Sequence, residues 1–282
     1  MPPRQRVLRR ATVKATRQLS TNLIRVTFDC PELAGMDLPF TDHYIKILFV
    51  PGTQRPFDPD TDGDPSDVAA VTRTYSLRSH DASNGAITVD FVVHGDAGLA
   101  GPWAAHAEVG DRIGFFGPGG AWAPDPDIDH FVLVGDESAA PAICAAIEAL
   151  PEATTAEVFL EIASQGDTFP VPARDGVSLT WVPRDGAPYG SELTRVVRAA
   201  GHPAARTRWF VHGVAEMVKE LRRHLFVDLG LPRTDVSISG YWRSGMNEDG
   251  WQSSKHEFVE TMDADEAAAG AEPVPPKEPR RA

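Results

Sequence analysis

The amino-acid sequence predicts a two-domain protein: an antiparallel β-barrel followed by an α/β domain built on a parallel sheet. Three observations carry this. Up to about residue 120 the chain is made of short segments rich in β-branched and aromatic residues, separated by Gly, Pro, Asn and Asp. Beyond Gly117-Pro118-Gly119-Gly120, strand-like and helical runs alternate, as in a sheet with helices on its faces. A length of 282 residues is enough for two hydrophobic cores.

Taken in order, Arg10-Ala11-Thr12-Val13-Lys14-Ala15-Thr16 alternates as a strand with one wet face. Further strands are expected at 24–30, 44–49, 73–77, 87–94 and 111–116, a spacing that suits a small closed or nearly closed barrel over residues 1–122. Residues 51–71 interrupt it as a long acidic loop. Within that loop Asp58-Pro59-Asp60-Thr61-Asp62-Gly63-Asp64 matches the start of a calcium-binding loop, but its twelfth position is Ala69, where a bidentate Glu is needed. No metal is therefore expected there. Residues 123–129, opening Ala123-Pro124-Asp125-Pro126-Asp127, read as a linker. The α/β domain spans 130–262, with strands at 130–134, 158–162, 179–182, 209–212 and 236–241 and helices at 142–150, 192–200 and 217–228. Residues 263–282, rich in Ala, Glu and Pro without periodicity, read as a disordered tail.

The net charge of −13 argues against nucleic acid or anionic membrane as partners, since both need a basic footprint. Residues 1–28 nevertheless hold seven Lys and Arg and no acid. This reads as a solvated barrel face or as a positive field near an anionic ligand. No run of about 18 apolar residues exists to span a membrane. The basic N-terminus lacks the apolar stretch of a secretory signal. Cys30 and Cys144 have no ligand spacing and read as reduced core thiols, so the expected location is cytoplasmic.

Four motifs hold candidate chemistry. In Arg73-Thr74-Tyr75-Ser76-Leu77-Arg78, the Arg, Tyr and Ser are expected to project to one strand face. There they would give a flavin its pyrophosphate charge, its flat ring and its contact near N5. An ordinary half-buried strand accounts for the same pattern. In Asp90-Phe91-Val92-Val93-His94-Gly95-Asp96-Ala97-Gly98-Leu99-Ala100-Gly101-Pro102-Trp103, a strand passes through small residues into a short helix. Its open backbone N–H groups suit an FAD pyrophosphate, or simply join strand to helix. In Leu133-Val134-Gly135-Asp136-Glu137-Ser138-Ala139-Ala140-Pro141, Ser138 is a candidate helix cap with Asp136 and Glu137 beside the positive helix end. The same turn falls at a sheet's carboxyl edge, where dinucleotides bind, although no Gly-x-Gly-x-x-Gly is present. In Ser239-Gly240-Tyr241-Trp242-Arg243-Ser244-Gly245, followed by Trp251 and Lys255, the aromatics cap a core or the cations bind an anionic substrate.

In this order and spacing the motifs resemble the siderophore-interacting protein family, FAD-dependent ferric-siderophore reductases of the ferredoxin-reductase-like superfamily. The resemblance runs from about residue 10 to 258. It implies an antiparallel Greek-key FAD-binding barrel followed by an NAD(P)H-binding α/β domain. It further implies that Arg73, Tyr75, Ser76 and Leu77 contact the flavin, and that His94, Gly98, Leu99, Ala100, Gly101 and Trp103 contact its ribityl–pyrophosphate part. Asp136, Glu137 and Ser138 would border FAD and the nicotinamide pocket. The family meets its anionic ferric chelate with a few basic side chains, for which Lys46, Arg243 and Lys255 are the best matches.

Two departures stand out. Gly101-Pro102 replaces a frequent Ser, which removes one side-chain contact to phosphate. Val214, in His212-Gly213-Val214, replaces the Glu of a usual Gly-Glu and removes a polar contact near the nicotinamide.

The implied activity is NAD(P)H-dependent reduction of a ferric siderophore to release Fe(II). FAD would take hydride from NADH or NADPH and pass electrons singly to iron that hard siderophore oxygens then hold weakly. No catalytic acid, base or resident metal is assigned. Residues 161–167 offer no base for a 2′-phosphate and Asp167 would repel one, which favours NADH; Arg184, after the next strand, is positioned to compensate. The alternatives are a reductase of the same architecture acting on a quinone, a ferredoxin or free flavin, and a non-redox siderophore carrier.

Overall fold

The computed structural model describes residues 7–94, 98–203 and 206–273. Two compact units form. One takes the described residues of Met1–Pro126 together with Glu137–Glu152 and Ile162–Asp175. The other takes those of Asp127–Asp136, Ala153–Glu161 and Gly176–Ala282.

The first unit is a closed antiparallel barrel of β1 (Leu8–Ser20), β2 (Leu23–Asp29), β3 (Tyr44–Phe49), β4 (Val71–Asp81), β5 (Ala86–Val92) and β6 (Arg112–Gly119), in the order β1-β2-β5-β4-β3-β6. Consecutive β3, β4 and β5 pair in turn and β6 returns beside β3, which is the Greek-key arrangement. Closure leaves no sheet edge open. The period-2 pattern explains the core: Val26, Phe28, Ile45, Ile47, Phe49, Ile87, Val89, Phe91, Ile113 and Phe115 all face inward and are buried. The acidic loop is pinned by arginines. It carries a turn of helix, α1 (Pro59–Asp62), capped by Asp58. Arg55 grips Asp62 through two bonds of 2.7 and 2.9 Å, and Arg10 and Arg112 both reach Asp60. Helix α2 (Ala100–His106) links β5 to β6.

The second architecture is a five-stranded parallel sheet of β7 (His130–Gly135), β8 (Thr155–Ile162), β9 (Val177–Pro183), β10 (Thr207–Val214) and β11 (Val236–Trp242), in the order β11-β10-β7-β8-β9. Every residue of β7, the central strand, is buried. The chain steps from β7 through β8 to β9 on one side and places β10 and β11 on the other, so the strand order reverses between β7 and β10. Helix α3 (Ala140–Ala149) belongs to the first unit and packs on β4; α4 (Ser191–Ala200), α5 (Ala215–Arg223) and α6 (Glu248–Ala268) belong to the second. Among the described residues no helix is long and apolar enough to cross a membrane.

One expectation is corrected. The helix α6 starts on an Asn247 cap and continues to Ala268, through the first residues of the expected tail. Buried Arg222 bonds Asp263 and both oxygens of Glu266, and Arg233 donates to the same Glu266 Oε2 at 2.8 Å. These partners lie some forty residues away in sequence, so no local periodicity announces them. Residues 274–282 of the expected tail lie outside the described residues.

Burial works to raise the Glu266 carboxyl, but the hydrogen bond and charge of Arg222, joined by Arg233, outweigh it and hold the group below its ordinary range. Glu266→Ala leaves two arginines buried without their shared partner and is expected to lower unfolding free energy by roughly 3–5 kcal/mol in urea titration. Because the folded-state carboxyl is depressed, its contribution is complete above the unfolded value and fades as pH falls through the folded one. The deficit of Glu266→Gln relative to wild type should therefore shrink in acid. A deficit independent of pH would show that the ion pairs are not its source.

Candidate functional site

In the barrel unit, β4 presents the first motif. Its register pairs Ile45 with Tyr75 and Ile47 with Arg73, so Arg73, Tyr75 and Leu77 share the inward parity of the core. Ser76 pairs with Tyr44 and points to the opposite face, beside Thr74 and Lys46. The expectation that Arg73, Tyr75 and Ser76 share one face is thus wrong for Ser76, because strand side chains alternate and 76 differs in parity from 73 and 75. The Tyr75 ring lies 4.5 Å from Phe91, whose ring lies 5.6 Å from Trp103. Phe91, which the sequence reading leaves without a role, therefore joins the β4 motif to the second motif on β5 and α2.

Trp103 is largely a packing residue, its indole set against Phe28, Phe49 and Phe91. His94 is exposed just beyond β5. Gly98 holds φ +90° with open space where a side chain would stand. Gly101 lets α2 approach β5 closely, since a Cβ there would lie 3.0 Å from the Val92 carbonyl oxygen. Gly95, Asp96 and Ala97 lie outside the described residues.

The third motif divides. Asp136, at 1% exposure, ends the run of β7, and its Oδ2 accepts from the Val214 backbone N–H at 2.8 Å and from Trp242 Nε1 at 2.9 Å. One carboxylate thus joins the carboxyl ends of β7, β10 and β11. Gly213, at φ +140°, makes room for it; a Cβ there would lie 2.8 Å from the carboxyl carbon. Val214 serves through its amide while its side chain is buried in the core. Glu137 is buried and Ser138 half-buried at the head of α3, in the barrel unit. Ser138 is not the helix cap; that position is Ala139, which offers no side-chain bond.

The same edge of the sheet holds a second buried carboxylate that the sequence reading missed. Glu161, at the end of β8, accepts from the Gly190 N–H at 2.9 Å and from Arg184 Nη1 at 3.0 Å. Burial pushes its pKa up, against the Gly190 bond and with the Asp136 charge adding to the rise. Arg184 lies 3.9 Å over the Tyr189 ring, and Tyr189 meets Trp242 edge-on at 4.8 Å. A continuous chain therefore runs Glu161–Arg184–Tyr189–Trp242–Asp136. The sequence signal was present only as two acids ending two strands, with no hint that both are consumed internally.

The basic residues are placed unequally. Lys46, on β3, donates to Thr74 Oγ1 at 3.3 Å. In the second unit, Arg243 sits 5.0 Å over Phe258 with its head partly exposed and Glu216 3.7 Å away. Lys255 donates to Ser239 Oγ at 3.2 Å and to the Gly240 carbonyl at 2.8 Å, and lies 5.9 Å from the Trp251 ring. Trp251 packs on Phe258, so Arg243 and Lys255 flank one aromatic pair. Nearby His212 is stacked flat on Phe210 at 3.8 Å, and burial, reinforced by the Lys255 charge, lowers its pKa to about 3.

Removal of the Asp136 carboxylate is expected to orphan two buried donors at once. Asp136→Ala should cost about 2–4 kcal/mol in denaturant unfolding, whereas Ser138→Ala should stay within about 0.5 kcal/mol. Equal losses in the two variants would refute the bridging role.

Two family models match the chain. "Siderophore-interacting FAD-binding domain" covers residues 12–122 and "Siderophore-interacting protein" covers residues 128–245. An uncharacterised protein of Mycobacterium tuberculosis is 38% identical over 88% of this chain and 94% of its own length. The ferric vibriobactin reductase of Vibrio cholerae is 30% identical over 84% of this chain and 90% of its own. The solved siderophore-interacting protein SipS of Aeromonas hydrophila superposes with a TM-score of 0.76 at 29% identity, covering 90% of this chain and 99% of that one. A ferredoxin reductase of carbazole 1,9a-dioxygenase, at 19% identity, shares the fold with a TM-score of 0.65 over 86% of this chain and 71% of its own. With a ferredoxin-reductase-like barrel and sheet, and both models spanning them in register, the chain belongs to the siderophore-interacting protein family.

Proposed function

We propose that the protein is an FAD-dependent reductase that uses a nicotinamide donor, NADH in preference to NADPH, to reduce a ferric siderophore and release Fe(II). The observation that carries this reading is the assembly of two motifs within one closed barrel. Tyr75 on β4 meets β5 and α2 through the Phe91–Trp103 row, and Arg73 stands two residues earlier on the same strand face. The fit to FAD is favourable. Gly98 leaves open backbone ahead of α2, Arg73 offers a cation, and Tyr75 offers an aromatic surface. FAD held there would accept two electrons together and release them one at a time. Ser76, Leu77, His94, Leu99, Ala100, Gly101, Trp103, Asp136, Glu137 and Ser138 complete the set assigned to it.

This chain's own residues supply binding and electrostatics. Asp136 acts mainly by shaping the sheet edge that would face the nicotinamide. Arg184 is held by Glu161 and stacked on Tyr189, so it is poorly placed to receive a 2′-phosphate, which supports NADH. Lys46, Arg243 and Lys255 are the cations assigned to the anionic chelate. Lys255 contributes less of its charge, because its ammonium is committed to Ser239 and Gly240.

Anaerobic turnover of the purified protein with several ferric chelates, trapping Fe(II) with a chromogenic chelator, tests the whole reading. Yellow protein that bleaches under NADH and yields Fe(II) is the expected result. Colourless protein that binds chelate without reducing it would establish the carrier instead, and a kcat/KM about tenfold higher with NADPH than NADH would overturn the donor assignment. At the cofactor itself, Arg73→Ala is expected to weaken FAD retention by about 1.5–3 kcal/mol, the size of a lost charge-assisted bond. Wild-type FAD affinity in Arg73→Ala combined with Tyr75→Ala would sink the site.

A further inference from the structure

We propose that Arg78 is a positioning residue for the cofactor, acting through Glu148 to fix helix α3, and with it Glu137 and Ser138, against the strand that carries Tyr75 and Ser76. The inference rests on the flavoprotein reading above and concerns only the barrel unit, to which α3 belongs.

Arg78 is an unusual occupant of its position. The β4–β5 ladder slips between Leu77, opposite Val89, and Ser79, opposite Thr88, so two steps on β4 face one on β5 and Arg78 sits at the bulge. Bulges re-aim side chains. Here the guanidinium is buried to 9% exposure on the barrel's outer side, beneath α3. Its two terminal nitrogens meet both oxygens of Glu148 at 2.9 and 2.6 Å, a planar fork-to-fork pair.

The pair is poorly explained as a device for stability. Arg78 Nε is buried with no acceptor, and burial works against the charged form, an effect offset by the Glu148 hydrogen bond together with the charges around it. Asp90, whose charge also acts on Arg78, has both oxygens taken by Arg25 at 2.7 and 2.8 Å. The adjacent Cys144 is a buried thiol whose pKa is pushed up to about 12, so it supplies no counter-charge. An apolar side chain would fill the space without an unspent donor.

What the fork adds is geometric. Two parallel bonds set both the distance and the rotation of α3 relative to β4, where a Lys would set distance alone. Glu148 stands near the C-terminal end of the ten-residue α3, and Glu137 and Ser138 precede its first turn, so one stiff rod carries the register from the ion pair to the cofactor-facing residues.

The test uses the full chain loaded with FAD, in wild type, Glu148→Gln, Arg78→Lys and the exchanged pair Arg78→Glu with Glu148→Arg. Tm, FAD affinity by flavin fluorescence quenching, and the visible circular dichroism of bound flavin are measured for each. The single variants should lower Tm, since each breaks or loosens the partner of a buried charge, and that loss is read separately from the flavin signals. Their FAD Kd should rise about fivefold or more and their flavin dichroism should change. The exchanged pair should recover much of both, because it restores the fork. Single variants with wild-type FAD Kd and dichroism, whatever their Tm, would overturn the proposal by leaving Arg78 a structural brace. A wild-type protein that takes up no FAD would instead overturn the flavoprotein reading beneath it.

Discussion

The Asp136 carboxylate accepts from the Val214 amide and the Trp242 indole at the point where the strand order of the parallel sheet reverses. At that point the ladder stops and buried strand ends need partners from elsewhere. A carboxylate at 1% exposure is costly unless it is fully bonded, and it is tolerated here because two donors from two other strands converge on it. Much follows from that choice. Position 213 must be a glycine, because its φ is +140° and a Cβ would collide with the carboxylate. Trp242 is held in place to receive Tyr189, which in turn supports Arg184 and through it Glu161. The edge on which an open α/β sheet binds dinucleotides is therefore built from side chains already bonded to one another rather than from a glycine-rich loop.

The barrel solves a different problem. Closure fixes the register of β4 on both sides, and the pleat then gives its two faces separate work. Arg73, Tyr75 and Leu77 share the inner parity, where Tyr75 is supported by Phe91 and, through it, by Trp103. Ser76 and Arg78 are buried on the outer side, where α3 packs. Placement of groups on the strand is thus decided by backbone hydrogen bonding, which is stiffer than any single side-chain contact.

Much of this architecture was legible in the sequence, because it depends on local period. The β-branched strands at 24–30 and 44–49, the apolar run of β7 and the helical pattern at 192–200 each announce themselves within a few residues. The candidate site was legible only as residue types. Arg73, Tyr75 and Asp136 can be singled out by motif, but that Asp136 bridges three strands depends on a partner at 214 and another at 242. Glu161 and Arg184 escaped as a pair because neither lies in a motif and the bond joins two strands twenty-three residues apart. The end of α6 was misjudged for a related reason: an Ala- and Glu-rich stretch with no stripe of its own is anchored by Arg222 and Arg233 from outside. The face that Ser76 occupies follows from strand alternation, since 76 differs in parity from 73 and 75.

The titratable side chains point the same way as the proposed chemistry. His212 is buried and neutral, with a pKa lowered to about 3, and is therefore unable to exchange protons near neutral pH. Burial raises Cys30 to about 11 and Cys144 to about 12, which keeps both as unreactive thiols. Asp136 and Glu161 are spent on backbone amides, an indole and an arginine. In the reading proposed above, a bound group carries the chemistry and the chain supplies orientation. Asp136, Glu161 and His212 serve that end as internal bracing, and the two thiols are packed in the cores.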